Sequence, residues 1–296
     1  MTATRRRRPT AVVLAIVLAA AAAAACAEDQ NGSRPDGSSS APSSTTVTAA
    51  APPPTTTTTA TDAAPVGPPI GATWQYQLTG SIDVAAPAEV FDVDGADTGA
   101  DQVADLHARG RYVICYLSAG TLEGWRSDGA DLADSVVGRP LVDWPDERWL
   151  DVRRIDELLR LLRRRVAACA AKGFDAVELD NVDGFRNETG FPITAADQLA
   201  FNRAAAAAVR DAGLAVGLKN DAEQVSDLVD DFDFAIVEQC VRRDECDRYV
   251  PFVEAGKPVF LVEYDLEPTV VCAEARRLGF SAIVKELDLT ADLWTC

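Results

Sequence analysis

Polar side chains cluster where short apolar runs end. Val177-Glu178-Leu179-Asp180-Asn181-Val182-Asp183 is one such place, Gly217-Leu218-Lys219-Asn220-Asp221 a second and Ile236-Val237-Glu238-Gln239 a third. Leu261-Val262-Glu263-Tyr264-Asp265, Phe91-Asp92-Val93-Asp94 and Tyr116-Leu117-Ser118-Ala119-Gly120 repeat the pattern. A single acid in such a position reads as a helix cap or a turn residue. Six apolar runs in series, ending in acids, amides, a lysine and hydroxyls, are poorly explained by capping alone. Alternate residues of a strand share a face, so Asp180 and Glu178 point one way while Val177 and Leu179 point the other. Glu238 likewise shares its face with Ile236. Two carboxylates projecting from adjacent strands into one mouth are the minimum equipment for glycoside hydrolysis. One serves as nucleophile or base, and the other protonates the leaving oxygen.

Other chemistry is narrowed by what the chain has few of. Its single histidine, His107, lies in a helical stretch and reads as a surface or helix-end residue, which removes two-histidine zinc sites and the usual triads. No metal site and no cofactor are expected. Only four lysines occur, Lys172, Lys219, Lys257 and Lys285, and two of them, Lys219 and Lys285, close apolar strands. A lysine there could form a Schiff base; the abundance of nearby acids favours an ion pair instead. The 296 residues carry 28 Lys and Arg against 46 Asp and Glu, a formal charge of −18, which argues against nucleic acid as a partner.

The elements needed to position these groups are short strands alternating with helices from Trp74 onward. Eight strands are expected: Trp74–Leu78, Glu89–Asp92, Tyr112–Leu117, Ala176–Leu179, Ala215–Leu218, Phe234–Val237, Val259–Val262 and Ala282–Val284. Between Leu150 and Lys172, the residues Ile155, Leu158, Leu159, Leu162, Val166 and Cys169 recur at three and four, a helical stripe. Further helices are expected from an N-cap at Thr194 to Gly213, and from Thr269 to Gly279. Eight strands with intervening helices predict an α/β fold, the (β/α)8 TIM barrel, in which all strand C-termini converge on one face. A doubly wound sheet competes, but no GxGxxG follows the first strand.

Residues 1–25 read as a signal peptide, with Arg5–Arg8 before the apolar run Ala11–Ala25. Small residues then precede Cys26, as in a bacterial lipobox, so Cys26 is the expected lipidation site; ordinary secretion is the alternative. Residues 26–69 form a Ser/Thr/Pro-rich linker with too little apolar surface to fold, and 70–296 the barrel domain. Six further cysteines fit an extracytoplasmic chain. Cys240 and Cys246 are expected to close one loop. Cys272 with Cys296 would pin the C-terminus, and Cys115 with Cys169 would bridge strand to helix or stay as buried thiols. A monomer is expected.

Taken in order, Trp74-Gln75-Tyr76-Gln77-Leu78, Phe91-Asp92-Val93-Asp94, Val113 to Gly120, Leu179-Asp180-Asn181-Val182-Asp183, Gly217-Leu218-Lys219-Asn220 and Val237-Glu238-Gln239-Cys240 resemble glycoside hydrolase family 114, the endo-α-1,4-polygalactosaminidase-like TIM barrels. The similarity runs from about Gly71 to Leu287. It implies an endo-acting hydrolase of α-1,4-linked galactosamine-containing polymers, with Asp180 as nucleophile, Glu238 as acid/base, and retention of configuration. It brings Tyr116, Asn181, Asp183, Lys219 and Asn220 to the cleft, and Asp92, Glu263 and Tyr264 are added as substrate-binding candidates at strand ends. Glu178 departs from the apolar residue expected before Leu179-Asp180-Asn181. An acidic mouth would also concentrate a cationic amino-sugar polysaccharide. The rival reading is a lipid-anchored carbohydrate-binding protein that keeps the barrel without turnover.

Overall fold

A computed structural model of the protein describes residues 65–296. The expected signal peptide, Cys26 and most of the linker lie outside the described residues. In chain order the elements are β1 (Trp74–Gln77), β2 (Val90–Asp94), α1 (Ala100–Ala108), β3 (Tyr112–Ser118), β4 (Thr121–Glu123), β5 (Val137–Pro140), β6 (Glu147–Leu150), α2 (Ile155–Lys172), β7 (Ala176–Asp180), α3 (Ala195–Asp211), β8 (Ala215–Lys219), α4 (Val225–Leu228), β9 (Phe234–Glu238), α5 (Val250–Glu254), β10 (Val259–Glu263), α6 (Pro268–Leu278), β11 (Ser281–Val284) and β12 (Trp294–Thr295).

Eight strands run parallel in the order β1-β2-β3-β7-β8-β9-β10-β11, and each lies within two residues of its expected position. The alternation that predicted them sorts their side chains into two cores. Trp74, Tyr76, Val90, Ile114, Ala176, Phe234, Ile236, Phe260 and Val262 fill the barrel interior. Phe91, Val113, Cys115, Val177, Leu179, Val216, Leu218, Val237 and Leu261 face the helices. Both faces of a parallel sheet are thereby covered, as its backbone polarity requires. Gly217 faces inward on β8, where a Cβ would overlap the Phe234 ring.

The helices begin and end for local reasons. The Thr194 hydroxyl accepts from Asp197 N at the start of α3, and Gly279 closes α6 at φ 76°. The stripe on α2 is as expected, but the helix starts at Ile155 rather than Leu150, because Leu150 is the last residue of β6. The antiparallel sheet β4-β6-β5 was not anticipated from sequence. Arg126 joins this insertion to the barrel rim, bonding Glu123 and Asp94 at 2.5 Å each.

Among the described residues no backbone ladder joins β1 to β11. The C-terminal segment fills that seam. β12 pairs antiparallel with β11, Leu289 O accepts from Leu78 N and Thr79 N, and Lys285 Nζ donates to Gln75 Oε1 at 2.8 Å and Thr290 O at 2.6 Å. Disulfides pair Cys115 with Cys169, Cys240 with Cys246, and Cys272 with Cys296. The first ties β3 to α2, the second closes the loop after β9, and the third fastens the seam segment to α6.

Candidate active site

The chain leaves the barrel rim abruptly after β7, β8 and β9. Asn181, Asn220, Asp221 and Gln239 all have positive φ, between 52° and 60°. Asn and Asp adopt this left-handed conformation at smaller cost than most residues. Gly120 lets the neighbouring rim close up, since a Cβ there would overlap the Asn181 carbonyl oxygen. Asp180, Lys219 and Glu238 are consequently the last inward-facing residues of three consecutive strands.

These three side chains form one network. Lys219 Nζ lies 3.1 Å from Asp180 Oδ1, 3.1 Å from Glu178 Oε1 and 3.5 Å from Glu238 Oε2, and donates to Tyr76 Oη at 3.1 Å. Asp180 Oδ2 accepts from Tyr116 Oη at 2.8 Å and from Asn181 Nδ2 at 3.3 Å. Glu238 Oε1 accepts from Tyr264 Oη, and its Oε2 from Asn220 Nδ2 at 3.4 Å. Asn220 Oδ1 in turn accepts from Glu238 N at 2.9 Å. The strands that carry the two acids are not adjacent as expected from sequence. β8 lies between them, and its lysine bridges the carboxylates. Since one Nζ is 3.1 Å from Asp180 Oδ1 and 3.5 Å from Glu238 Oε2, those oxygens are at most about 6.6 Å apart. That distance is compatible with a two-carboxylate glycosidase of either stereochemistry.

Charge states follow from burial and neighbours. Burial pulls the Lys219 ammonium toward neutrality, but Asp180, Glu178 and Glu238 outweigh it and hold the group well above the ordinary lysine range. A lysine so held is no Schiff-base nucleophile. Burial and the nearby carboxylates raise the phenols of Tyr76, Tyr116 and Tyr264, which remain donors. Burial also pushes Glu147 up to about 7, and burial with the Asp180 charge takes Asp183 to about 6.

Above the network opens a cleft of about 430 Å³. Asp180, Asn181, Asp183, Lys219, Asn220, Glu238 and Tyr116 line it. Tyr264 stands behind Glu238. Two expected substrate contacts are corrected. Asp92 is fully buried beneath the rim because β2 continues two residues past it, to Asp94. Glu263 is also fully buried, on the outward parity of β10, where it accepts from Val241 N at 2.8 Å and Arg242 N at 3.4 Å. It anchors the loop after Glu238 and does not line the cleft.

The insertion supplies residues that the sequence reading missed. Trp125 and Trp144, about half exposed, form one wall with Trp149, Glu123 and Glu147. Thr121 Oγ1 donates to Glu147 Oε2 at 2.9 Å and accepts from Asn181 Nδ2 at 3.2 Å, linking that wall to Asp180. Three of the five tryptophans falling between Trp125 and Trp149 was the available signal.

The family model described as glycoside-hydrolase family GH114 matches residues 55–296. The chain belongs to glycoside hydrolase family GH114. It is a glycoside hydrolase with a TIM-barrel fold. Among solved structures it is similar to Ega3 of Aspergillus fumigatus, in complex with galactosamine: 32% identity, 79% of this chain and 98% of that one, TM-score 0.75. The glycoside hydrolase domain of PelA from Pseudomonas aeruginosa shares the fold at 17% identity, covering 76% and 99%, with TM-score 0.60. An uncharacterised protein of Deinococcus radiodurans is 27% identical over 245 residues, 71% of this chain and 78% of that protein.

Proposed function

We propose that this GH114 enzyme is an endo-acting hydrolase of α-1,4-linked galactosamine-containing polysaccharide, acting by retention. The observation that carries this reading is the pair Asp180 and Glu238, held by one ammonium at the floor of one acidic cleft. Three donors fix the Asp180 carboxylate, which suits attack on the anomeric carbon. Glu238 is the more exposed of the two and has room to meet the glycosidic oxygen. In the first step Asp180 forms a bond to C1 as the C1–O bond breaks, and Glu238 gives its proton to the departing oxygen. In the second, Glu238 takes a proton from water, the oxygen attacks C1, and Asp180 leaves as carboxylate. Asp183, ionised above about pH 6, adds negative charge that would draw in the ammonium groups of deacetylated galactosamine. The likeness to Ega3, whose structure contains galactosamine, supports the same substrate class.

Purified protein incubated with partially deacetylated polygalactosamine should yield short oligomers whose first-formed anomer matches the substrate. Asp180→Asn and Glu238→Gln should each lower cleavage at least a hundredfold, with activated aryl glycosides partly rescuing only the second. Near-normal cleavage by either variant removes the assignment. The three disulfides support residence outside the cytoplasm. Anchoring through a lipid on Cys26 is the accompanying proposal, and Cys26→Ala should release the protein from membranes or leave its precursor uncleaved. Unchanged attachment and processing in that variant excludes it.

A further inference from the structure

One buried carboxyl of the cleft has no countercharge. Glu123, Asp180, Glu188 and Glu238 line the cleft, and each pairs with a lysine or an arginine. Glu147 lines it too, is only 8% exposed, and pairs with no cation among the described residues. Arg126, whose charge reaches it, is committed to Glu123 and Asp94. Glu147 Oε2 accepts from Thr121 Oγ1 at 2.9 Å. Its Oε1 accepts from no described residue and is not sealed from solvent. A buried carboxylate left in this way is costly, and a cation brought to Oε1 would offset the cost.

The strand that carries Glu147 also sets an apolar surface beside it. On β6, Glu147 and Trp149 share a face, and both line the cleft. On β4, Thr121 lies opposite Trp149 and Glu123 opposite Glu147. Thr121 links this pair to the reacting acids, since Asn181 Nδ2 donates to its Oγ1 at 3.2 Å and to Asp180 Oδ2 at 3.3 Å. Glu147 Oε2 is therefore at most about 9.4 Å from Asp180 Oδ2. A sugar bound at the point of attack, or next to it, is within reach. An indole beside a free carboxyl oxygen suits an amino sugar, whose C–H face packs on the ring while its ammonium meets the oxygen.

We propose that Glu147 is a specificity-determining residue whose Oε1 receives an ammonium group of the bound chain, so that the enzyme prefers free amino sugars to N-acetylated ones. The inference deepens the proposed function and rests on a galactosamine-containing chain occupying this cleft. An N-acetyl group at the same place brings no charge and leaves the carboxyl uncompensated. The groups facing Glu147 are Tyr116 on β3, Glu123 on β4, Arg126 just after it, and Asp180 on β7. Burial, Asp180 and Glu123 oppose its ionisation, and Arg126 favours it. An arriving ammonium favours it further, so the carboxyl gives up its proton to solvent as the chain binds. Affinity for the amine chain therefore rises with pH up to about 7, where Glu147 ionises unaided.

Calorimetric titration of the intact protein carrying Asp180→Asn, which blocks cleavage, tests this with an α-1,4-galactosamine pentamer and its N-acetylated counterpart. Adding Glu147→Gln keeps an acceptor for Thr121 and removes the charge. At pH 7 it should weaken the amine pentamer about tenfold, the worth of a charged hydrogen bond, and leave the acetylated one within about twofold. It should also flatten the rise of amine-pentamer affinity between pH 5 and 7. Asp183 titrates in the same range but is present in both proteins, so the difference belongs to Glu147. Unchanged affinity for the amine pentamer overturns the proposal. Equal weakening of both pentamers also overturns it, and leaves Glu147 a structural support of Thr121. If neither pentamer binds before Glu147 is changed, the proposed function itself falls and takes this inference with it. Should Glu147→Gln not fold, Glu147→Asp replaces it. Drawing the charge back by one methylene should weaken the amine pentamer severalfold and spare the acetylated one, and an unaltered preference is the overturning result.

Discussion

Removing the Lys219 ammonium is the most informative single change. Lys219→Met keeps most of the length of the side chain and deletes the only cation that, among the described residues, pairs with Glu178, Asp180 and Glu238, at 3.1, 3.1 and 3.5 Å. Breaking a buried ion pair by deleting one partner costs about 3–5 kcal/mol, because the remaining charge is left uncompensated. With a melting-temperature change of roughly 2–4 °C per kcal/mol for a domain of this size, the variant should melt about 6–20 °C lower at pH 8. The deficit should depend on pH. The lysine itself keeps its charge throughout the window, since its folded-state value is raised above an already high reference. The orphaned carboxylates instead bind protons as pH falls, and each proton taken up recovers up to about 1.4 kcal/mol per pH unit. Urea unfolding of wild type and variant at pH 8 and pH 5 should thus show a large gap at the first and a smaller one at the second. A gap under about 1 kcal/mol at pH 8, or one that does not narrow on acidification, would refute the reasoning that this lysine holds the site together.

Other outcomes follow from neighbouring groups. Burial raises Asp221 to about 8, well above the range of an unfolded aspartate, so the native state keeps a proton that the unfolded chain has released by pH 5. Its contribution is fully present at low pH and is lost as pH rises toward 8. Asp221→Asn should therefore flatten the fall of stability between pH 5 and 7, by up to about 1.4 kcal/mol per pH unit, in urea midpoints measured across that range; an unchanged slope counts against it. Glu263→Ala strips the acceptor from two backbone N–H groups and should cost about 1–3 kcal/mol in a urea melt, with polymer cleavage falling as the loop after Glu238 loosens. Trp144→Ala should raise KM for a long polymer severalfold while leaving a small aryl glycoside almost untouched, and equal effects on both substrates would remove Trp144 from the polymer-binding wall.

How far the site could be read from the sequence depended on which physical signal each part carries. Strand alternation puts Glu178 on the same face as Asp180, and Glu238 on the same face as Ile236, and in the structure that shared face is the barrel interior. The same alternation, applied to Phe260-Leu261-Val262-Glu263-Tyr264, sends Glu263 outward and Tyr264 inward. It was legible there and was overridden by the position of Glu263 at a strand end. Depth was not legible. Asp92 reads as a rim residue if β2 stops at Asp92, and the strand runs on to Asp94 because Arg126, from a distant insertion, neutralises Asp94 there. The strands of that insertion, β4, β5 and β6, are three or four residues long, with polar residues on most faces, so they offer no periodicity to detect. Its register depends on long-range pairing, and only the density of tryptophans hinted at a surface. The Asp180–Lys219–Glu238 bridge depended on strand order as well as strand identity.

The seam between β1 and β11 has a bearing on when the enzyme becomes complete. Leu287, Asp288 and Leu289 belong to the segment that fills the seam, and the same three residues line the cleft. One piece of chain is thus both the last stave of the barrel and a wall of the groove, and Cys272–Cys296 fastens its far end. While those thiols are reduced, the wall rests on hydrogen bonds from Lys285, Leu78 and Thr79 and on two residues of β12. Once they are oxidised, its position is covalently limited. Such bonds persist on the oxidising side of a membrane and are rare in a reducing cytosol. Where such bonds persist, this wall of the groove therefore carries a covalent tether that the reduced chain lacks.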